Sequence, residues 1–214
     1  MNVFIPIKQN SQRVPGKNFR EFKGVPLYQY AINNILETKH INEIYIDTDS
    51  EEVLEFYKDN INVIAYRRHP NLVGDTVSVC DLIKYCIVHN DIKNDYMIQL
   101  HVTTPLIKQS TIETACNLIN GDFDSIVACN KLQTRLWRKE DYGYCPVNHN
   151  PTRLEQTQDL PVYYEENSAF YVFSTDDFLR TNNRIGLNPY FYEMTFPENI
   201  DIDTEDDWNI LKQF

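Results

Sequence analysis

Short apolar runs alternate along this chain with longer segments whose apolar residues recur at helical spacing, and that alternation predicts an α/β protein. Residues 3–7 read as a buried strand. After a polar loop, Leu27, Ala31, Ile32, Ile35 and Leu36 fall on one face of a helix. Residues 44–46 read as the next strand, Val53, Leu54, Phe56 and Tyr57 as a helix, and residues 62–66 as another strand. Leu82, Ile83, Cys86 and Ile87 form a further helical face, with strands predicted at 96–100 and 125–129. Asp49 with Glu52, and Ser110 with Glu113, have the spacing of capping boxes. Beyond Cys129 the period breaks. Residues 131–162 mix charges, aromatics, Pro146, Pro151 and Pro161, and read as an appendage or long loop; residues 163–173 suggest a strand, and 188–196 an aromatic connection toward 200–203. No internal repeat or low-complexity stretch interrupts the pattern.

Strands separated by helices require right-handed crossovers, which give a mostly parallel sheet with a ligand crevice at the carboxyl ends of its strands. Three polar segments follow predicted strands: the loop after residue 7, Asp47-Thr48-Asp49, and the stretch from His101 to Pro105. The first is the most informative. Lys8, Arg13, Lys17, Arg20 and Lys23 stand against Glu21 alone, so the first 23 residues carry a net charge of +4 in a chain of net −11, leaving −15 for the rest. Convergent cations and free backbone N–H groups suit an anion such as a polyphosphate. A solvated surface turn is the rival reading, but Pro15 and Gly16 set a defined bend between Arg13 and Lys17. With Gly16 and Gly24 its only glycines, the segment is neither a GxGxxG nor a GxxxxGK[ST] loop.

At 214 residues and 25.3 kDa, the chain is long enough for a sizeable core. A pI near 4.9 argues against nucleic acid and anionic membrane surfaces as partners. No apolar run reaches the length of a membrane span and no signal-peptide pattern opens the chain, so a cytoplasmic protein is expected. Cys80, Cys86, Cys116, Cys129 and Cys145 are odd in number, lack metal-ligand spacing, and read as reduced, mostly buried thiols.

Asp201 and Asp203 flank Ile202 just before Thr204, which has Asp207 three residues on. Alternation in an extended segment sends both carboxylates the same way, which suits a hard cation that borrows phosphate oxygens. Decoration of a helix N-terminus is the competing reading, and it fits Glu205, Asp206 and Asp207. Asp47 and Asp49 share the spacing, with Asp49 also read as a helix cap.

The segment Ile5-Pro-Ile-Lys-Gln-Asn-Ser-Gln-Arg-Val-Pro-Gly-Lys-Asn18 resembles the N-terminal signature of the acylneuraminate cytidylyltransferase family, the CMP-sugar synthetases. Later blocks follow in order: Gly24-Val-Pro-Leu27, Tyr45-Ile-Asp-Thr-Asp-Ser50, Leu72-Val-Gly-Asp-Thr-Val-Ser78, Thr103-Thr-Pro-Leu106, Gln158-Asp-Leu-Pro161, Glu166-Asn-Ser-Ala-Phe-Tyr171 and Ile200-Asp-Ile-Asp-Thr204. The resemblance implies a Rossmann-like three-layer α/β/α fold with a mostly parallel sheet, residues 1–214 forming a single nucleotidyltransferase domain. It also implies that residues 131–166 are a dimerisation arm of a homodimer, reaching the partner's active site. CTP and Mg²⁺ would be used to place CMP on a 2-keto sugar acid, releasing pyrophosphate. By the same resemblance Lys8, Arg13 and Lys17 would hold the phosphates, with Ser11 and Asn18 in the same loop. Asp75, Thr76, Ser78 and His101 would lie at the nucleotide, and Thr103, Gln156, Gln158, Glu166 and Asn167 at the sugar. Asp201 and Asp203 would hold Mg²⁺, with Asp203 counted among the catalytic groups.

The sequence departs from the family pattern at several positions. Lys8 stands in place of an arginine and loses its bidentate fork, and Gln9 and Asn10 replace two frequent glycines. His101-Val102 replaces a Gln-Pro pair, and Gln156 an arginine for which Arg153 or Arg135 could compensate. These departures keep other readings open: a nucleotidyltransferase with another hydroxyl, phosphate or phosphonate acceptor, a glycosyltransferase using Asp47 and Asp49 for metal, or a noncatalytic nucleotide-binding protein.

Overall fold

Strands here are built from residues that alternate between two apolar layers. A computed structural model describes residues 1–74, 76–119 and 121–214, and among these the chain forms eleven strands and six α-helices. In order they are β1 (Asn2–Ile7), β2 (Glu21–Phe22), β3 (Val25–Pro26), α1 (Leu27–Asn33), β4 (Ile44–Thr48), α2 (Glu51–Tyr57), β5 (Val63–Arg67), α3 (Val79–His89), β6 (Tyr96–Leu100) and α4 (Gln109–Asn117). There follow β7 (Ser125–Leu132), β8 (Trp137–Glu140), β9 (Gly143–Pro146), β10 (Tyr163–Ser174), α5 (Thr175–Thr181), β11 (Pro189–Glu193) and α6 (Glu205–Leu211).

Seven strands form one sheet in the order β11-β7-β10-β6-β1-β4-β5. Its pairs are parallel except those of β10, which runs antiparallel to both β6 and β7. Val3, Ile5, Ile44, Ile46, Ile98, Ile126 and Val172 point to a layer containing α1, α2 and α4. Phe4, Tyr45, Met97, Val127, Tyr171 and Phe173 point to the opposite layer, with α3 and α5. This is the three-layer α/β/α arrangement. Each fully buried side chain of this size contributes about 1.5–3 kcal/mol, more than the roughly 1 kcal/mol spanned by strand propensities, so burial decides where these segments sit. A smaller cluster of Phe22, Leu27, Ile202, Trp208 and Leu211 fastens α6 beneath the first loop. Among the described residues, no helix is long and apolar enough to cross a membrane.

Several local expectations are corrected. Asp49 does not cap α2: Ser50 holds the N-cap position, and Asp49 Oδ1 accepts the Gln9 N–H at 2.7 Å. Ser110 lies inside the first turn of α4, whose N-cap is Lys108; Glu198 accepts the Lys108 N–H at 3.0 Å and the Thr111 hydroxyl at 2.5 Å. The expected aromatic connection contains β11, an edge strand whose half-exposed residues mask its period. α5 has a single buried apolar anchor, Phe178, too little for a helical stripe. Within 131–166, β8 and β9 form a separate hairpin, and residues 129–132 pair with 163–166 as an extension of β7 and β10. All five cysteines are unpaired, three of them buried.

Candidate active site

After β4 and β5 lead outward from β1, the chain returns to β6 on β1's other side, so the order in which strands are added reverses between the parallel neighbours β1 and β6. A crevice opens at the carboxyl ends of strands at such a point. The basic loop leaves β1 there. Gly16, at φ 66°, sits in the left-handed region that glycine enters without strain. It opens a 3₁₀ turn in which the Lys17 N–H reaches the Val14 carbonyl at 3.1 Å, and fully buried Val14 pins the bend. Arg20 ties the loop to α6 through two 2.7 Å bonds to Glu205 and lies over the Trp208 ring.

Lys17 and Arg13 converge on one carboxylate. Lys17 Nζ donates to Asp203 Oδ1 at 3.1 Å and to the Ile202 carbonyl at 2.5 Å, while Arg13 Nη1 donates to Asp203 Oδ2 at 2.5 Å. Asp203 is held in turn by the capping box of α6: Asp207 accepts the N–H groups of Asp203 and Thr204 at 3.1 and 2.7 Å. The helix-capping reading of this segment is thus carried by Asp207, which leaves the carboxylate of Asp203 directed to Arg13 and Lys17. Lys17 is buried, so it also supports the loop that carries it.

Two clefts meet at this cluster. The first, about 430 Å³, runs along Lys8, Ser11, Arg13, Lys17 and Asn18, with His101 and Thr103 opposite and Val77, Val79 and Leu82 as its apolar side. The second, about 540 Å³, is lined by polar groups including Asn130, Glu165, Glu166, Asn167 and Asn199. Ser168, Asp201 and Asp203 belong to both. Ser168 reaches this position because β10 shifts register between Glu166 and Tyr171, with Ser168 itself at φ 59°, a bulge of the kind that re-aims side chains beside a site.

Asn18 braces the loop, donating to the Lys8 carbonyl at 3.1 Å. Glu166 accepts the Tyr171 hydroxyl at 2.8 Å, and Asn167 donates to Asn130 at 3.1 Å, both on the second cleft. Thr76 and Ser78 are exposed and line neither cleft; the Ser78 hydroxyl caps α3, accepting the Cys80 N–H at 3.1 Å. Asp75 lies outside the described residues. Gln156 and Gln158 are exposed, hydrogen-bond one another, and line neither cleft of their own chain. Arg135 donates to the Glu155 carbonyl, and Arg153 lies 3.9 Å from the Glu155 carboxylate.

Sequence reasoning missed Arg68. It lies almost fully buried at the first cleft, paired with fully buried Asp47. Burial raises the Asp47 carboxyl, and Arg68 pulls it back. A cation directly after β5 was the available signal. This pairing engages Asp47 Oδ1 and the Gln9 N–H engages Asp49 Oδ1, while Asp47 Oδ2 is buried without a hydrogen-bond donor. Burial, with Arg184 and Lys17 nearby, pushes His101 down to about 4, so its ring is neutral near pH 7.

Asp201 is the carboxylate fitted to a cation. Its Oδ1 is buried without a hydrogen-bond donor, and burial raises its pKa, opposed by a bond from Thr103. Two adjacent carboxylates, one with uncommitted lone pairs, match a hard oxygen-seeking ion. Among the described residues, no group of three or more His, Cys, Asp or Glu could hold a metal. Phosphate oxygens and water would have to complete the shell.

The chain has relatives among known proteins. CMP-N,N'-diacetyllegionaminic acid synthase of Legionella pneumophila is 28% identical over 222 residues, covering 98% of this chain and 93% of the relative. N-acylneuraminate cytidylyltransferase A of Danio rerio is 25% identical over 219 residues, covering all of this chain; the chain spans about half the length of that relative. A CMP:2-keto-3-deoxy-manno-octonic acid synthetase solved with CTP has the same fold, at TM-score 0.65 and 16% identity over 99% of this chain and 96% of that one. The family model described as Cytidylyltransferase matches residues 3–213, and this chain belongs to that family.

Proposed function

We propose that the chain transfers CMP from CTP to the anomeric hydroxyl of a 2-keto sugar acid for surface-glycan synthesis, the acid being a nonulosonic acid such as N-acetylneuraminate, legionaminate or pseudaminate. The observation that carries this reading is the junction of two clefts at Asp201 and Asp203, with Arg13 and Lys17 on the junction itself. The first cleft, basic at one end and apolar along one side, suits a nucleoside triphosphate; the second, lined by amides and carboxylates, suits a polyhydroxylated acceptor. The acceptor oxygen attacks the α-phosphorus, the bond from that phosphorus to the bridging oxygen breaks, and pyrophosphate leaves with one proton released overall. Lys8, Arg13 and Lys17 orient the triphosphate and offset the charge that grows on the leaving group. Asp201 and Asp203 would hold Mg²⁺, which when bound would neutralise charge on the nonbridging phosphate oxygens. Glu166, fixed by Tyr171, and Asn167, fixed by Asn130, would order sugar hydroxyls.

This division of labour predicts a split in steady-state constants. Glu166→Gln should raise KM for the sugar acid about tenfold with little change for CTP, and Arg13→Ala should do the reverse, a loss of about 1.4 kcal/mol of binding in each case. Equal changes in both constants for either variant would contradict the two-cleft assignment.

We also propose a homodimer. Trp137, Tyr142, Tyr144 and Tyr164 are half-exposed or more on the β8–β9 hairpin and the adjoining ribbon, an aromatic surface of the kind found at subunit interfaces. Gln156 and Gln158 on this arm would then serve the partner's acceptor cleft. Light scattering should give twice 25.3 kDa at micromolar concentration. A mass of one chain there would sink the proposal.

A further inference from the structure

A polar chain runs through the apolar layer beneath the first cleft. Gln99 is fully buried on β6, directly across from Tyr171 on β10. Arg184, in the segment after α5, lies 3.7 Å from the Tyr171 ring centroid and donates from Nη1 to Gln99 Oε1 at 2.6 Å. The other end of the Gln99 amide meets His101, Nε2 to Nε2, at 2.6 Å. None of these links has a role in the reading given above.

The donor inventory fixes the direction of every bond in this chain. A guanidinium only donates, so the amide must turn its oxygen to Arg184 and its NH₂ to His101. An NH₂ only donates, so His101 Nε2 must accept. The ring proton is then on Nδ1, for which no partner occurs among the described residues. A second proton on Nε2 would set N–H against N–H in a buried contact, and the nearest charges, Arg184 and Lys17, oppose it while Asp203 favours it. His101 lines the first cleft.

We propose that Arg184 and Gln99 are positioning residues that hold His101 as its Nδ1–H tautomer, so that the ring offers the nucleotide a hydrogen-bond donor rather than a lone pair. The acceptor would be an oxygen or ring nitrogen of the bound nucleotide, and this part rests on the proposed use of that cleft for CTP. The tautomer itself does not.

Long-range ¹H–¹⁵N spectra of the full chain at pH 7 read the tautomer directly, the His101 signals being those lost in His101→Asn. The expected spectrum shows a protonated Nδ1 and a bare Nε2. Gln99→Glu places an acceptor against Nε2 and should move the proton there, weakening CTP binding by about tenfold in calorimetry. Arg184→Met should release the amide and mix the tautomers, whereas Arg184→Lys, which keeps a donor, should retain the wild-type ring; these two serve if Gln99→Glu fails to fold. A wild-type ring protonated at Nε2, a ring unchanged in both Gln99→Glu and Arg184→Met, or unaltered CTP affinity in Gln99→Glu would each overturn the proposal. Failure of CTP to bind the wild-type chain would remove the nucleotide reading, while the spectrum would still decide the tautomer.

Discussion

Asp47 and Arg68 carry the largest electrostatic stake of any single pair beside the cleft, because neither is exposed to water. Breaking such a pair by removing one partner leaves a buried charge uncompensated, at a cost of about 3–5 kcal/mol, whereas replacing both by apolar residues is often neutral. Arg68→Met should therefore destabilise by about that amount in urea unfolding, and Asp47→Leu/Arg68→Met should recover most of it. CTP affinity should stay reduced in the double variant, since Arg68 also faces the first cleft. Recovery of affinity along with stability would make Arg68 purely structural. Lys17 has the same double nature on a smaller scale of burial: its ammonium holds both Asp203 and the Ile202 carbonyl, so its removal would disturb the fold as well as the proposed phosphate site.

Among the elements, α4 depends on a distant residue for its start. Glu198 accepts the Lys108 N–H and the Thr111 hydroxyl and pairs with Lys108 Nζ at 2.9 Å. Burial alone would raise its pKa, but bonds from Thr111 and Lys108 outweigh that and hold it below the ordinary glutamate value. A depressed folded pKa means that the stabilisation is complete above the unfolded value of about 4.3 and is lost as pH falls through the lower folded value. Glu198→Gln should lower the urea midpoint at pH 7, and the gap from wild type should narrow as pH is taken to about 3; a constant gap would show that ionisation is not the source. This anchor also marks where sequence reading ends. The main strands and the helical faces were legible because each repeats one period over several residues. The caps of α2 and α4 were not, because Asp49 and Glu198 satisfy groups far from them in sequence. In the site, the basic loop and the Asp201/Asp203 pair could be read as local patterns, but Arg68, Ser168 and Arg184 acquire their positions through strand pairing, a bulge and packing on Tyr171.

For the molecule as a whole, a net charge of −11 with a local excess of +4 in the first 23 residues favours anion binding at the sheet's switch point over the rest of the surface. The parallel strands place the basic loop beside β6, the reversed strand β10 brings Glu166 to Ser168 across from it, and α6 presents Asp203 between them. Fold, charge and cleft geometry thus support the proposed reaction, a nucleotidyl transfer from CTP to a sugar acid. Its most direct test is pyrophosphate release with Mg²⁺, each of the four nucleoside triphosphates, and a panel of N-acetylneuraminate, legionaminate, pseudaminate and 3-deoxy-octulosonate. Release with CTP alone, and only when one of the three nonulosonic acids is present, is the predicted result; release without an acid, release with another triphosphate, or none with any acid would contradict it.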